Sequence, residues 1–229
     1  MCIRDRYNEM ITPDNTGILT VNYNTPDLIM GLYVSIRDRL GADYIFNVVD
    51  GSDKTGEEAA KLDDIINKDS NSKFHKLGYN IHHGPGLDYG IRLINKEYIL
   101  VTDSDVILIS SKCLDAINRR LNTEDFYGIG NIEYVNYSGF NADENKPDAI
   151  KYLHPRFMLI NKKQYLKFPP FIKHGAPCIK AMVKIKDKGL THMLIESGDR
   201  EVGWKHFGRS TLNRGGEHPP TFNTRSYRA

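Results

Sequence analysis

Apolar and polar positions along this chain fall into alternating strand-like and helix-like periods. Ile18-Leu19-Thr20-Val21-Asn22-Tyr23 is a β-rich run that stops at Asn24-Thr25-Pro26. Pro26 suits the first turn of a helix, and Leu28, Ile29, Leu32 and Ile36 recur at helical spacing up to about Leu40. Tyr44 to Val49 predicts a second strand, ended by Asp50-Gly51-Ser52-Asp53, with a polar helix from about Gly56 to Lys68. His75 to Ile81 predicts a third strand. His83-Gly84-Pro85-Gly86 reads as a sharp loop, and Leu87 to Lys96 as a short helix. Tyr98 to Val101 is a nearly continuous apolar strand, as expected for one buried in a parallel sheet. The order βαβαβαβ implies an open parallel sheet covered by helices. The second half is less regular. It predicts a strand over Phe126 to Val135, a polar loop over Asn136 to Asp148, and a strand at Phe157 to Ile160 after His154-Pro155. A helix from Pro177 to Lys188 is stopped by Gly189. Mixed topology is expected there.

Composition narrows the partners. The 31 basic and 29 acidic residues leave a formal net charge of +2, which argues against nucleic acid or an anionic membrane as partner. No apolar run approaches the roughly 20 residues that span a bilayer. Cys2, Cys113 and Cys178 show no metal-binding spacing, and their odd number argues against a disulfide framework, so a reducing cytoplasm is expected. Residues 1–6 match the translation of a sequencing-library transposon end, which points to an environmental (metagenomic) gene fragment. They are set aside from fold reasoning, and residues 216–229 are expected to be a tail or the stump of a longer chain.

The candidate chemistry lies at strand ends. In open parallel sheets ligands bind beyond the carboxyl ends of the strands, where Asn22, Asn24, Asp50, Asp103 and Asp105 are expected. Asp103 and Asp105 are two apart in extended chain, so both side chains point the same way. Two such anions repel unless a proton or a cation sits between them. Mg2+ or Mn2+ suits oxygen ligands and bridges readily to a diphosphate. The competing reading of Asp103-Ser104-Asp105 is a turn with solvated carboxylates. Its place after a buried fourth strand favours the metal.

The ordered set Leu19-Thr20-Val21-Asn22-Tyr23-Asn24, Val49-Asp50-Gly51-Ser52-Asp53 and Tyr98-Ile99-Leu100-Val101-Thr102-Asp103-Ser104-Asp105 resembles glycosyltransferase family 2 and related GT-A enzymes. The resemblance covers about residues 17–125 and returns at Trp204-Lys205-His206-Phe207-Gly208-Arg209-Ser210-Thr211. It implies a GT-A fold: a Rossmann-like α/β architecture with an open mixed, mainly parallel sheet flanked by helices. The implied organisation is one domain over residues 7–215, with a nucleotide-binding half at 17–125 and an acceptor half at 126–215. The implied activity is a metal-dependent hexosyltransferase of inverting type, with Mn2+ or Mg2+ as cofactor. It would move a sugar from a UDP- or GDP-sugar to a glycan, lipid-linked or protein acceptor. The resemblance assigns Thr20, Asn22, Tyr23, Asp50, Gly86, Asp103 and Arg209 to the nucleotide. It assigns Asp103, Asp105 and His206 to the metal, with Asp105 also at the catalytic centre.

The chain departs from the family where an acidic pair usually opens a helix and supplies the general base. Here it reads Lys173-His174-Gly175-Ala176-Pro177. His174 is the candidate base, because an imidazole can take a hydroxyl proton near neutral pH. The positive end of the helix expected after it would disfavour an imidazolium. Glu196, Asp199 and Glu201 are the reserve candidates. For His154 a structural role is favoured over one facing the acceptor, and for His82 and His83 a loop role is favoured over a metal site. Two alternatives stay open: a haloacid dehalogenase-type phosphatase using Asp103 and Asp105, and a catalytically inactive sugar-binding module. Against the phosphatase, three strand-like runs precede the strand that leads into Asp103, and Ile107 stands where its motif has Thr or Val.

Overall fold

The computed structural model describes residues 10–52, 57–121, 125–172, 174–198 and 203–207. Strands β1 (Thr16–Asn22), β2 (Ile45–Asp50), β3 (Ser72–Lys76) and β4 (Tyr98–Thr102) alternate with helices α1 (Pro26–Leu40), α2 (Glu57–Lys68) and α3 (His83–Leu93). Then come β5 (Val106–Leu108), α4 (Lys112–Leu121), β6 (Gly128–Val135), β7 (Ile150–Asn161), α5 (Lys162–Tyr165), α6 (Ile179–Asp187), β8 (Leu194–Glu196) and β9 (Trp204–His206). A seven-stranded sheet has the order β3-β2-β1-β4-β7-β6-β8, and β5 pairs with β9 in a separate ribbon. The first four strands pair in parallel, whereas β7 runs antiparallel to β4 and β6. This is the expected α/β architecture, with the mixed half where the pattern loses regularity.

Alternation along each strand feeds two cores. Ile99 and Val101 of β4 join Leu87 and Ile91 of α3 and Met182 and Ile185 of α6 on one face. Tyr98 and Leu100 join Ile29, Leu32 and Ile36 of α1 and Ile117 of α4 on the other. The contact between α3 and β1 is close. A Cβ at Gly90 would lie 2.3 Å from Leu19 Cδ1, and one at Gly86 2.9 Å from Val21 Cγ1. His83-Gly84-Pro85-Gly86 is accordingly the first turn of α3 rather than the expected loop. Pro85 fits there because first-turn amides need no helical acceptor.

Other boundaries differ for identifiable reasons. Strand β3 ends at Lys76 because Gly78 turns the chain at φ 75°. Strand β7 starts at Ile150 and runs through Pro155, well before the expected Phe157. Proline is tolerated because the β6 ladder shifts register between Gly130 and Ile132, and β4 pairs no further along β7 than Phe157. Helix α6 starts at Ile179, two residues later than expected. Helix α4 was not anticipated. The expected scar, the tail and Arg209 lie outside the described residues.

The β6–β7 contact depends on glycine. A Cβ at Gly130 would lie 2.9 Å from the Phe157 carbonyl oxygen and 2.8 Å from Met158 Cβ. Gly130→Ala is expected to cost roughly 1–3 kcal/mol through overpacking. Urea unfolding measures this, and an unchanged midpoint would contradict the packing.

Candidate active site

The carboxyl ends of β1, β2 and β4 share one edge of the sheet. Asp103 follows β4 directly. Its backbone N–H donates to the Arg156 carbonyl of β7 (3.1 Å), and its own carbonyl accepts from Val106 N–H (3.3 Å). A tight turn therefore leads into β5 and presents Asp103 and Asp105 together. Strand β9 lies antiparallel on β5, with His206 opposite Val106, and Phe207 N–H donates to the Asp105 carbonyl (3.0 Å). Trp204 anchors β9: it is buried and stacks on Phe157, with ring centroids 5.3 Å apart. His206 Nε2 thus arrives 3.1 Å from Asp105 Oδ1 and 3.7 Å from Asp103 Oδ2. One ligand atom from each of Asp103, Asp105 and His206 fits within a 4.8 Å span.

This set fits a divalent cation. Bonds of about 2.0–2.3 Å place neighbouring ligand atoms roughly 3–4 Å apart, and oxygen with imidazole suits Mn2+. Asp103 Oδ1 is buried and has no aligned hydrogen bond, which leaves it open to a cation. His83 Nε2 lies 3.2 Å from it, off the hydrogen-bond axis. Burial alone would raise the Asp103 pKa, but contact with His83 and the fields of His83, His154 and His206 lower it overall. For His206, burial works to lower the pKa, but Asp105 first and then Asp103 raise it overall. His82 caps α3 at φ 65° and ψ 163°, a conformation costing about 1–3 kcal/mol outside glycine. That turn aims His83 at Asp103.

The other end of the edge is built around Asp50. Its Oδ1 accepts from Asn22 Nδ2 (2.8 Å) and Ser52 Oγ (2.5 Å). Asn22 Oδ1 accepts from Thr25 Oγ1 (2.8 Å), which ties the group to the start of α1. Tyr23 is 39% exposed beside it. Thr20 lies deeper, fully buried, with a hydroxyl that has no hydrogen-bond partner. Gly86 is buried against Val21, so close helix–strand packing accounts for it directly.

On the far side of Asp103 lies a polar group of which sequence reasoning named only His154. Arg156 of β7 is paired with Glu133 of β6, and its Nε–H donates to His154 Nδ1 (3.1 Å). Burial foremost, and Arg156 next, push the His154 pKa down to about 4, against the pull of Asp103 and Glu133. His154 and Arg156 stand two apart on one strand, and that spacing was the available signal. His174 is exposed, with its ring 6.4 Å from that of His82, which precedes His83. Helix α6 begins five residues after His174, beyond the first turn over which a helix dipole acts, so that support falls away. Glu196 ends β8, beyond β6; Asp199 and Glu201 lie outside the described residues.

Solved structures share this fold. A mannosyltransferase from Pyrobaculum calidifontis, PcManGT, in complex with GDP-Man and Mn2+, superposes with TM-score 0.55 and 11% identity over 80% of this chain and 54% of its own. GalNAc-T7 with UDP, GalNAc and Mn2+ gives TM-score 0.58 and 11% identity over 75% and 40%. S. aureus TarS 1-349 in complex with UDP-GlcNAc gives 0.50 and 16% over 74% and 53%. The chain therefore spans about half the length of these structures, and the likeness shows the fold. A comparison with curated protein sequences gives no significant match. The model of glycosyl transferase family 2 matches residues 18–185, most of the chain and every strand from β1 to β7, so the protein belongs to that family.

Proposed function

We propose that this glycosyltransferase moves a sugar from a nucleoside-diphosphate donor to an acceptor hydroxyl, using a divalent metal. The observation that carries the reading is the convergence of Asp103, Asp105 and His206 at the strand edge that also carries Asp50. Asp50 and Asp103 stand two strands apart, about 10 Å, a separation that suits a nucleoside and its diphosphate. Asp103, Asp105 and His206 would hold Mn2+ or Mg2+, which when bound neutralises charge growing on the diphosphate. Solved relatives with UDP or GDP-Man and Mn2+ support this cofactor and donor class.

The roles of this chain's own residues follow. Asp50 keeps Oδ1 on Asn22 and Ser52 and accepts a hydrogen bond from base or ribose through Oδ2. Tyr23 offers an aromatic face to the base. Thr20 and Gly86 back the pocket through packing, and Arg209 reaches the diphosphate. His174 takes the acceptor's proton as the acceptor oxygen bonds to the anomeric carbon on the face opposite the diphosphate, whose bond to that carbon breaks, so the single displacement inverts the configuration. Residues 17–125 form the nucleotide half and residues 126–215 the acceptor half of one domain. No helix among the described residues is long and apolar enough to cross a membrane. The free, buried thiols of Cys113 and Cys178 suit a reducing cytoplasm. The phosphatase alternative has no support in the family match. An inactive module would leave nucleotide-sugars unhydrolysed, whereas a transferase hydrolyses them slowly.

Asp103→Asn and Asp105→Asn are each expected to abolish Mn2+-dependent binding of UDP or GDP while the thermal transition stays close to that of the native protein. Undiminished Mn2+-dependent affinity in both variants would exclude the metal site. Asp50→Ala is expected to weaken nucleotide binding by about 1 kcal/mol, more if the site is dry, and to leave the metal requirement intact. Calorimetric titration with and without Mn2+ separates these effects. His174→Ala should cut transfer by about two to four orders of magnitude with donor affinity unchanged. Near-normal turnover would pass the role to Glu196, Asp199 or Glu201.

A further inference from the structure

The polar group on β6 and β7 has no role in holding metal or nucleotide, yet it lies next to Asp103. Tyr152, His154 and Arg156 occupy alternate positions of β7, and Tyr152 belongs to the core under α3 and α6. The His154 ring meets that of Tyr152 edge-on at 5.8 Å. Its Nδ1 accepts two hydrogen bonds, from the Arg156 backbone N–H (3.2 Å) and from Arg156 Nε–H (3.1 Å). A backbone amide and a guanidinium can only donate. Nδ1 therefore keeps its lone pair, and in the neutral ring the proton sits on Nε2. Glu133 holds Arg156 from the other side, so the tautomer is set by two strands. In this state His154 is neither a base nor a metal ligand at Nε2. It is an oriented hydrogen-bond donor.

Its place on the sheet says what it faces. The order β2-β1-β4-β7 puts Asp50 at one end, the metal ligands two strands on, and His154 one strand further, at about 4.8 Å per step. A nucleotide-sugar laid along this edge has its nucleoside at Asp50 and its diphosphate at Asp103 and Asp105. The group beyond the diphosphate is the transferred sugar. Resting on the transferase reading above, we propose that His154 Nε2–H donates a hydrogen bond to an oxygen of the transferred sugar. His154 thereby selects donors with a lone-pair oxygen at that position and adds nothing to nucleotide or metal affinity.

The test compares UDP, GDP, UDP-glucose, UDP-GlcNAc and GDP-mannose, each with Mn2+, by calorimetry on the unmodified protein, His154→Ala and His154→Gln. The sugar's contribution is the affinity ratio between nucleotide-sugar and free nucleotide. His154→Ala should lose about 5–30-fold of that ratio for the preferred donor, the worth of one or two kcal/mol. His154→Gln, whose amide still donates, should recover part of it, and free nucleotide affinity should stay unchanged in both variants. An unchanged ratio, or an equal loss for free and sugar-bearing nucleotides, overturns the proposal. Nitrogen-15 NMR of the unliganded protein gives a second readout: Nδ1 unprotonated and Nε2 protonated are expected, and the reverse tautomer overturns it. If neither UDP nor GDP binds the unmodified protein with Mn2+, the transferase reading falls and takes this proposal with it.

Discussion

The hydrogen bond from the Asp103 backbone N–H to the Arg156 carbonyl holds the two halves of the molecule in register. It is the last step of the β4–β7 ladder, whose pairs run from Tyr98–Asn161 to Thr102–Phe157. Strands β1 to β4 build a parallel edge that carries Asn22, Asp50 and Asp103. Strand β7 then reverses direction and brings its early residues, not its last ones, to that edge. Without the reversal the sheet would offer a strand end beside Asp103. With it, His154 and Arg156 stand there, ahead of the residues that pair with β4. The register shift in β6 at Gly130 and Ile132 sits at this junction, where bulges commonly re-aim side chains.

Much of the first half was legible in the chain. Strands buried on both faces read as continuous apolar runs, and α1 kept its expected bounds because Pro26 and the Leu28, Ile29, Leu32, Ile36 stripe agree. The strand-end carboxylates Asp50, Asp103 and Asp105 were legible for the same reason, since the end of a buried strand marks the ligand-binding edge. His206 was legible only through family resemblance. It lies about a hundred residues from Asp105 and meets it through a three-residue strand that local periodicity cannot register.

Other residues were hidden by physics that acts at a distance. His83 touches Asp103 only because Gly86 and Gly90 let α3 lie directly on β1 and because His82 takes a strained cap. A reading that makes His83 to Gly86 a loop has no reason to aim that imidazole. Lys151, His154, Pro155 and Arg156 break the apolar pattern of β7, so a twelve-residue strand looked like a short one. Two of them, His154 and Arg156, form the polar group beside Asp103. Local pattern therefore fails where a strand leaves its ladder and enters the site, as expected when function overrides packing.

The least secured member of the candidate metal set is His206. A ribbon of two three-residue strands is marginal by itself. What holds it is not the ribbon's own bonding but Trp204, buried on the Phe157 ring, and Gly203. The Gly203 carbonyl accepts from Ile109 N–H (2.7 Å) and Ser110 N–H (3.0 Å), and a Cβ there would strike Cys113 N at 2.7 Å. Phe157 is the neighbour of Arg156 on β7. One strand thus supports the third candidate metal ligand on one face of the sheet and the proposed sugar contact on the other. A shift of β7 would disturb both together, whereas Asp50 and Asn22, held by β1 and β2, would keep their geometry. On the proposed reading, the donor's nucleoside lies against the parallel strands and its transferred sugar against a single antiparallel strand.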